Sequence, residues 1–486
     1  MIVARSRTSC ICGVLLLLSR CVKPFTLCRP TVLRPSHRVY PKAVEPNVHI
    51  TIVKGLPSEN REPEWFGFPS ESVAKPLALL LLSQFVLFLG VGAVIPSIPL
   101  YGKEIGLSSA ANGIVISTPA IGLLLLANWS GKQADKARKA AMIWGMAIIA
   151  VADLGTACAT NLPLLILARF GLGVGRSWSE AGERGMLADL AQRVESQRGK
   201  VVAAQQAVAA LGIAIGAPVG GLLVEEYGPR VSFLCVSAAA TICWLLYWFL
   251  PETIANSQST ENSYDVETET ITSDSGDWIS LLKERSWQGL ALCQSGASFG
   301  FAAKIASIPI LATECLPGGA AGTGLLLSAA GLTGLLGAPV GGFCTDKISA
   351  RATCVLGGVI SATGLISIPW ALSLNGDSPF ALFNNEAMSN EALAFSAVVL
   401  LWSFGSTAQG PALTAYAQEL APDDAKATAM ALPRASGDGT YIVAPFILGL
   451  FADNFGVRGS DCALAGSFGL FGALSLLFSR EKKQIE

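Results

Sequence analysis

Long apolar stretches broken by short polar ones dominate the chain from Leu77 onward. The apolar segments are approximately 76–100, 113–130, 140–159, 163–188, 200–224, 231–250, 287–311, 321–342, 353–372, 392–416, 427–451 and 461–479. Each is close to the ~20 apolar residues that cross a bilayer as a helix. They fall into two groups of six, separated by residues 251–286, which hold eight acidic residues, many Ser and Thr, and little apolar content. That stretch is expected to be a solvated, disordered loop. The pattern predicts an all-α membrane protein of twelve transmembrane helices in two pseudo-symmetric six-helix bundles, 76–250 and 287–480, with a short tail at 481–486.

Composition agrees. Of 486 residues 51% are hydrophobic and only 14% charged, and mean hydropathy is +0.51. A soluble surface needs about a quarter charged residues, so a soluble enzyme, a secreted disulfide scaffold and a nucleic-acid binder are disfavoured together. Net charge is −1, which gives no field to attract a polyanion. The 12 cysteines show no Cys-x-x-Cys spacing and sit mostly in apolar runs, as small apolar residues. Both histidines, His37 and His49, precede the first segment. The membrane body therefore has no imidazole base, metal ligand or haem ligand. No cofactor, metal or nucleic-acid partner is expected.

Lys and Arg in the connecting loops set the orientation. On the face of the 131–139 loop, called inside, lie Lys132, Lys136, Arg138, Lys139 and eleven further cations; the opposite loops hold only Lys103, Arg230 and Arg458. Both ends of the membrane body lie inside. Residues 1–44 carry eight Lys or Arg, seven Ser or Thr and no acid, with a short apolar run at Ile11 to Leu18. This is the composition of an organelle-targeting leader, and the run suits a signal-peptide core. A plastid or other organelle envelope is the expected location, with the plasma or vacuolar membrane as the alternative. Residues 45–75 read as a Pro-rich linker.

The halves repeat. Gly131-Lys-Gln-Ala-Asp135-Lys136 follows segment two, and Gly342-Phe-Cys-Thr-Asp346-Lys347 follows segment eight. Gly212 to Pro218 in segment five matches Gly439 to Pro445 in segment eleven. Over about residues 76–480 the chain resembles the major facilitator superfamily. The resemblance rests on the loop Gly131, Asp135, Lys136, Arg138, Lys139; on Arg169-Phe-Gly-Leu-Gly173 in segment four; and on Gly212-Ile-Ala-Ile-Gly216-Ala-Pro218-Val-Gly220-Gly221 in segment five, with Pro251-Glu252-Thr253 after segment six. The segment-five motif looks like the multidrug and amine proton-antiporter branch. The resemblance implies a substrate path lined by segments one, four, seven and ten.

Asp135 among Lys136, Arg138 and Lys139 can form a charge cluster that locks the loop in one conformation and releases it in another. Asp346, Lys347 and Arg351 are expected to repeat it. Gly212, Gly216 and Gly220 share one helical face, where small residues admit a neighbouring backbone, and Pro218 can bend the helix. Gly221 extends the set.

Segment four places Arg169, Arg176, Glu180, Glu183 and Arg184 on one stripe. A charge at mid-bilayer costs about 2.5–3.5 kcal/mol on insertion scales, so the stripe must face the bundle interior or a watery cavity. Glu183 and Arg184 are expected near the inside surface. Gln84, Gln294, Lys304, Gln409 and Tyr416 are the other polar groups on the path-lining segments, and segment eleven adds Arg434, Asp438 and Tyr441; Asp153, on a helix that the family places peripherally, is left aside. A carboxylate such as Glu180 or Asp438 is expected to exchange a proton as its surroundings change. Segment one lacks Asp and Glu, unlike cation-exporting relatives, which leaves an organic anion or a neutral solute open as cargo.

The reading is a monomeric secondary transporter of a small solute, coupled to protons; no Gly-x-x-x-x-Gly-Lys-Ser/Thr sequence supports ATP use. The rivals are a uniporter or organic-anion exchanger of the same fold, and, from another class, a polytopic scaffold or intramembrane enzyme.

Overall fold

The computed structural model describes residues 64–65, 68–69, 73–194, 198–254, 278–374, 389–422 and 426–478. The expected leader and the short tail lie outside them; the described part of the linker includes a two-residue antiparallel ladder, β1 Glu64–Trp65 against β2 Phe68–Pro69. The first bundle comprises α1 Lys75–Val94, α2 Ser97–Glu104, α3 Ser109–Lys136, α4 Arg138–Cys158, α5 Leu162–Gln192, α6 Arg198–Tyr227 and α7 Pro229–Tyr247. The second comprises α8 Trp278–Leu281, α9 Arg285–Ala306, α10 Ile308–Cys315, α11 Gly319–Lys347, α12 Ala350–Ile366, α13 Ile368–Ala371, α14 Asn390–Leu420, α15 Lys426–Asn454 and α16 Ser460–Ser475.

Ten of the described helical stretches are long and apolar enough to cross a membrane, and α9 with α10, bent by 43°, makes an eleventh. α5, 31 residues long, falls below that apolar average because of its charged stripe. Its helix is secured locally: Asn161 caps it by accepting from Leu164 N at 3.1 Å, and a proline occupies the first turn, where a missing N–H costs nothing.

Three spans are broken where the same tripeptide occurs. Ser97-Ile98-Pro99 opens α2, Ser307-Ile308-Pro309 separates α9 from α10, and Ser367-Ile368-Pro369 separates α12 from α13. Proline cannot continue the hydrogen-bond ladder behind it, but it fits the first turn of a new helix. Apolar segments 76–100, 287–311 and 353–372 are thus each two helices.

The middle loop is ordered at its edges. Glu252 and Thr253 bond to the first bundle (below), and α8 forms just before α9; residues 255–277 lie outside the described set.

Each bundle has its own apolar core. Met142, Met146, Leu172, Met186, Leu190 and Tyr247 anchor the first, while Phe299, Phe395, Val399, Trp402 and Leu448 anchor much of the second. The bundles meet along α3 against α15 and α6 against α11, and the polar contacts joining them cluster on the outer half. Lys103 Nζ lies 2.9 Å from Glu314 Oε1. Asp453 accepts from Ser109 N and Ala110 N, and Glu225 accepts from Ala320 N at 3.0 Å. Ser328 Oγ donates to Ala214 O at 2.5 Å, the innermost of these joints. Towards the inside the same helices part: nothing lies within 4 Å of a Cβ placed at Gly131, Gly331, Gly342 or Gly439. The molecule is closed outside and open inside.

Candidate functional site

The α5 stripe faces the inward-opening space. Glu180 bridges two arginines: Arg176 Nη2 and Nε approach its Oε1 at 2.7 and 3.0 Å, and Arg184 Nη2 approaches Oε2 at 2.6 Å. The i,i+4 spacing makes both contacts reachable from one helix. Arg176 is 50% and Arg184 55% exposed, so water reaches the chain of charges although its helix is in the middle of the bundle.

Across the space stands α15. Arg434 and Asp438 pair at 3.7 Å and are 66% and 60% exposed, and Arg434 is near enough to act on the Glu180 charge. Tyr441, one turn further out, is in electrostatic reach of both Arg169 and Arg176. Its ring lies 5.5 Å from that of Phe301 on α9, and Lys304 Nζ lies 6.0 Å from the Phe301 ring. Arg169, Arg176, Glu180, Lys304, Arg434 and Asp438 therefore border one region contributed by both bundles. Gln409 is placed elsewhere: it is buried within the second bundle, with Nε2 donating to Cys293 Sγ at 3.1 Å and Cys354 O at 3.3 Å. It ties α14 to α9 and α12.

Two acids occupy positions other than those expected. Glu183 is 7% exposed rather than at the surface, and it accepts from Ser179 Oγ at 2.6 Å, Tyr247 Oη at 2.7 Å and Gln84 Nε2 at 3.3 Å. It is turned from the space toward α1 and α7, because three residues along a helix from Glu180 is already a different angular position against the neighbours. Asp153 on α4 is buried and lies within electrostatic reach of Arg169 and Arg176, so the peripheral helix contributes a charge to the site after all. The sequence signal for it was available: an acid in the middle of an otherwise apolar span needs a partner.

The first inner loop is a connected cluster. Arg138 Nη1 meets Asp135 Oδ1 at 2.6 Å, and its Nε lies 3.5 Å from Asp189 Oδ2 at the end of α5. Thr253 Oγ1 donates to the same Asp189 oxygen at 2.5 Å. Glu252 accepts from Arg138 N and Lys139 N at 3.2 and 3.0 Å, neutralising the start of α4. Lys136 ends α3. The second loop is built differently: among the described residues Asp346 and Lys347 form no ion pair. Arg351 instead donates to Leu476 O and Leu477 O at 2.9 and 3.0 Å, satisfying carbonyls at the end of the last span.

The small-residue face of α6 is a packing face. A Cβ at Gly212, Gly216 or Gly220 would run into α1 around Phe85, Leu89 and Ala93, and one at Gly221 would meet Ala320 across the bundle seam. Pro218 stands within α6 on the outer, joined half.

The sequence pattern of the Major Facilitator Superfamily matches residues 80–432 and 290–486. The chain is 27% identical over 173 residues to the quinolone resistance protein NorA of Staphylococcus aureus, covering 35% of this chain and 44% of that protein. It is 28% identical over 198 residues to multidrug resistance protein 2 of Bacillus subtilis, covering 40% and 48%. The chain thus aligns with less than half the length of these relatives. Among solved structures it superposes on a point mutant of the nucleoside transporter NupG with a TM-score of 0.66 at 14% identity, covering 84% of this chain and 100% of that one. It superposes on a D-xylose-proton symporter with a TM-score of 0.64 at 14% identity, covering 84% and 98%. At such identity these likenesses concern the fold.

Proposed function

The chain belongs to the Major Facilitator Superfamily, and from that premise we propose that it is a secondary active transporter, moving a small organic solute by alternating access in exchange with or alongside protons. The observation that carries this reading is the Arg176–Glu180–Arg184 chain: three charges in the middle of a membrane bundle, half-open to water and facing the other bundle. Ion pairs serving only to hold helices together would join neighbouring helices; these lie within one helix, with both arginines open to water. Rocking the bundles, so that the outer joints part and inner ones form, would turn the same charges to the other face.

Coupling follows from Glu180. Its two guanidinium neighbours come from its own helix, while Arg434 belongs to the opposite bundle and would move with it. A change in that distance changes how readily the carboxylate takes a proton, which links proton exchange to the swing of the bundles. The inner cluster of Asp135, Arg138, Asp189 and Glu252 is suited to hold the first bundle's loop in one of the two states.

The relatives named for drug and quinolone resistance support a small-molecule cargo. The chain is proposed to work as a monomer, with residues 1–75 serving as targeting leader and linker for an organelle envelope. A fusion of those residues to a fluorescent protein tests this: organelle import supports it, a diffuse cytosolic signal opposes it. The transporter reading is tested by solute flux into vesicles holding the purified chain, with and without an imposed pH difference. Flux driven by the gradient and abolished by a protonophore is expected; flux indifferent to pH would make the chain a uniporter or exchanger.

A further inference from the structure

Lys304 has no carboxylate partner. Among the described residues none lies within ion-pair distance, and its side chain is half-buried. It shares a helical face with Gln294, Ala297 and Phe301, opposite the Gly296, Phe299 and Ala303 face that packs into the second bundle's core. The two residues after it, Ile305 and Ala306, pack against the first bundle beside Val94, Ile98 and Tyr101. Lys304 therefore stands at the sealed outer end of the inward-opening space. Arg169, 5% exposed, is also unsatisfied there: its Nε has no hydrogen-bond partner, and Asp153 acts on it without forming an ion pair. Between them, Tyr441 is in reach of Arg169 and in ring contact with Phe301, itself 49% exposed.

Most of the remaining charge is already committed, and the buried Asp153 acts on Arg169 and Arg176 from α4. Glu180 is shared by Arg176 and Arg184, Asp438 is paired with Arg434, and Glu183 faces α1 and α7 with three neutral donors. A half-buried cation with nothing opposite it, beside a buried guanidinium whose Nε is unbonded, is an expensive arrangement unless something negative completes it.

We propose that the transported solute is an organic anion with an apolar or aromatic body, its acidic group received by Lys304 and Arg169 and its body laid against Phe301 and Tyr441. This deepens the transporter reading and rests on it. A cationic solute would meet the unpaired Lys304 charge at this end of the route; an anion would supply the partner that Lys304 lacks and a bonded contact for Arg169 on the opposite bundle, and so favour the state in which they approach.

The test is equilibrium binding to the purified full chain in nanodiscs near neutral pH, using benzoate, benzamide and benzylamine, which differ in charge at nearly constant size. Benzoate is expected to bind about tenfold or more tightly than either counterpart. Lys304→Met should remove that preference, benzoate then binding no better than benzamide, and Lys304→Arg should restore most of it. Methionine is a near-isosteric apolar replacement, and a monodisperse, unaltered melting profile checks that it folds. Benzoate bound no better than benzamide, benzylamine preferred, or a benzoate preference that survives Lys304→Met would each overturn the proposal. Binding is read without flux, so vesicles that move no solute would count against transport and leave the anion site standing. Flux of benzylamine would do the reverse.

Discussion

Asp453, at the end of α15 in the second bundle, caps the start of α3 in the first, its carboxylate accepting from Ser109 N at 3.0 Å and Ala110 N at 2.9 Å. Glu225 at the end of α6 does the same for α11 through Ala320 N. The two joints are pseudo-symmetric, and so are the ion pairs beside them: Arg230 with Glu104, and Arg458 with Glu314, both at 3.6 Å. The two caps join the bundles on the outer side, each combining a carboxylate with the positive end of a helix, while each ion pair lies within one bundle.

Weakening either cap should therefore shift the molecule toward an outward-open state. A lost cap is worth about 1 kcal/mol, or about fivefold in population. Asp453→Asn and Glu225→Gln are each expected to raise, by about that factor, the rate at which a membrane-impermeant maleimide applied from outside labels Ser328→Cys; the double variant should multiply the effects.

The Arg176–Glu180–Arg184 chain should be indispensable to transport and dispensable to insertion. Glu180→Gln leaves two guanidinium groups facing each other, and Arg176→Ala removes one of the two. Each is expected to lower vesicle flux about a hundredfold or more, with normal membrane insertion and a monodisperse profile. Flux near the unsubstituted rate in both would detach the site from the function.

Glu183 is expected to behave in the opposite way. Glu183→Ala strands the Tyr247 hydroxyl, the Ser179 hydroxyl and the Gln84 amide in a dry environment, at about 1–3 kcal/mol. The expected readout is a melting temperature several degrees lower in detergent, with Glu183→Gln recovering much of it because an amide oxygen still accepts.

In the inner loop, Arg138 joins Asp135 to Asp189. Arg138→Ala and Asp189→Asn should each slow flux, and a double-variant cycle should give a coupling of about 0.5–3 kcal/mol in transition free energy. Strict additivity would mean that the two residues act separately.

Much of this was legible in the sequence, and the gaps have physical causes. Most of the spans and the charged face of α5 follow from apolar length and helical period, which burial enforces over long stretches. The helix breaks do not, because Ser-Ile-Pro is apolar enough to be absorbed into a hydrophobic run; its recurrence at 97–99, 307–309 and 367–369 is the signal that marks them. The outer joints were also written in the chain, as Glu225-Glu-Tyr-Gly-Pro-Arg230 and Asp453-Asn-Phe-Gly-Val-Arg458, a repeat spoiled for the eye by one shared glycine and one arginine among changed letters. Glu183 and Gln409 could not be placed from periodicity alone. Facing the interior of a bundle includes both the watery space and the seams between helices, and only the neighbours, Tyr247 for one and Cys354 for the other, decide between them.

The account as a whole depends on water reaching the α5 stripe from the inside. Substituted-cysteine labelling measures that directly: Arg176→Cys and Arg184→Cys, in a background whose accessible native cysteines such as Cys158 are replaced, are reacted with a membrane-impermeant maleimide supplied to one face at a time. Labelling of both positions from the inner face, with slow labelling from the outer face, is the predicted result. Positions that stay unreactive from both faces would contradict it, since the charges would then be sealed between helices and could serve no passing solute.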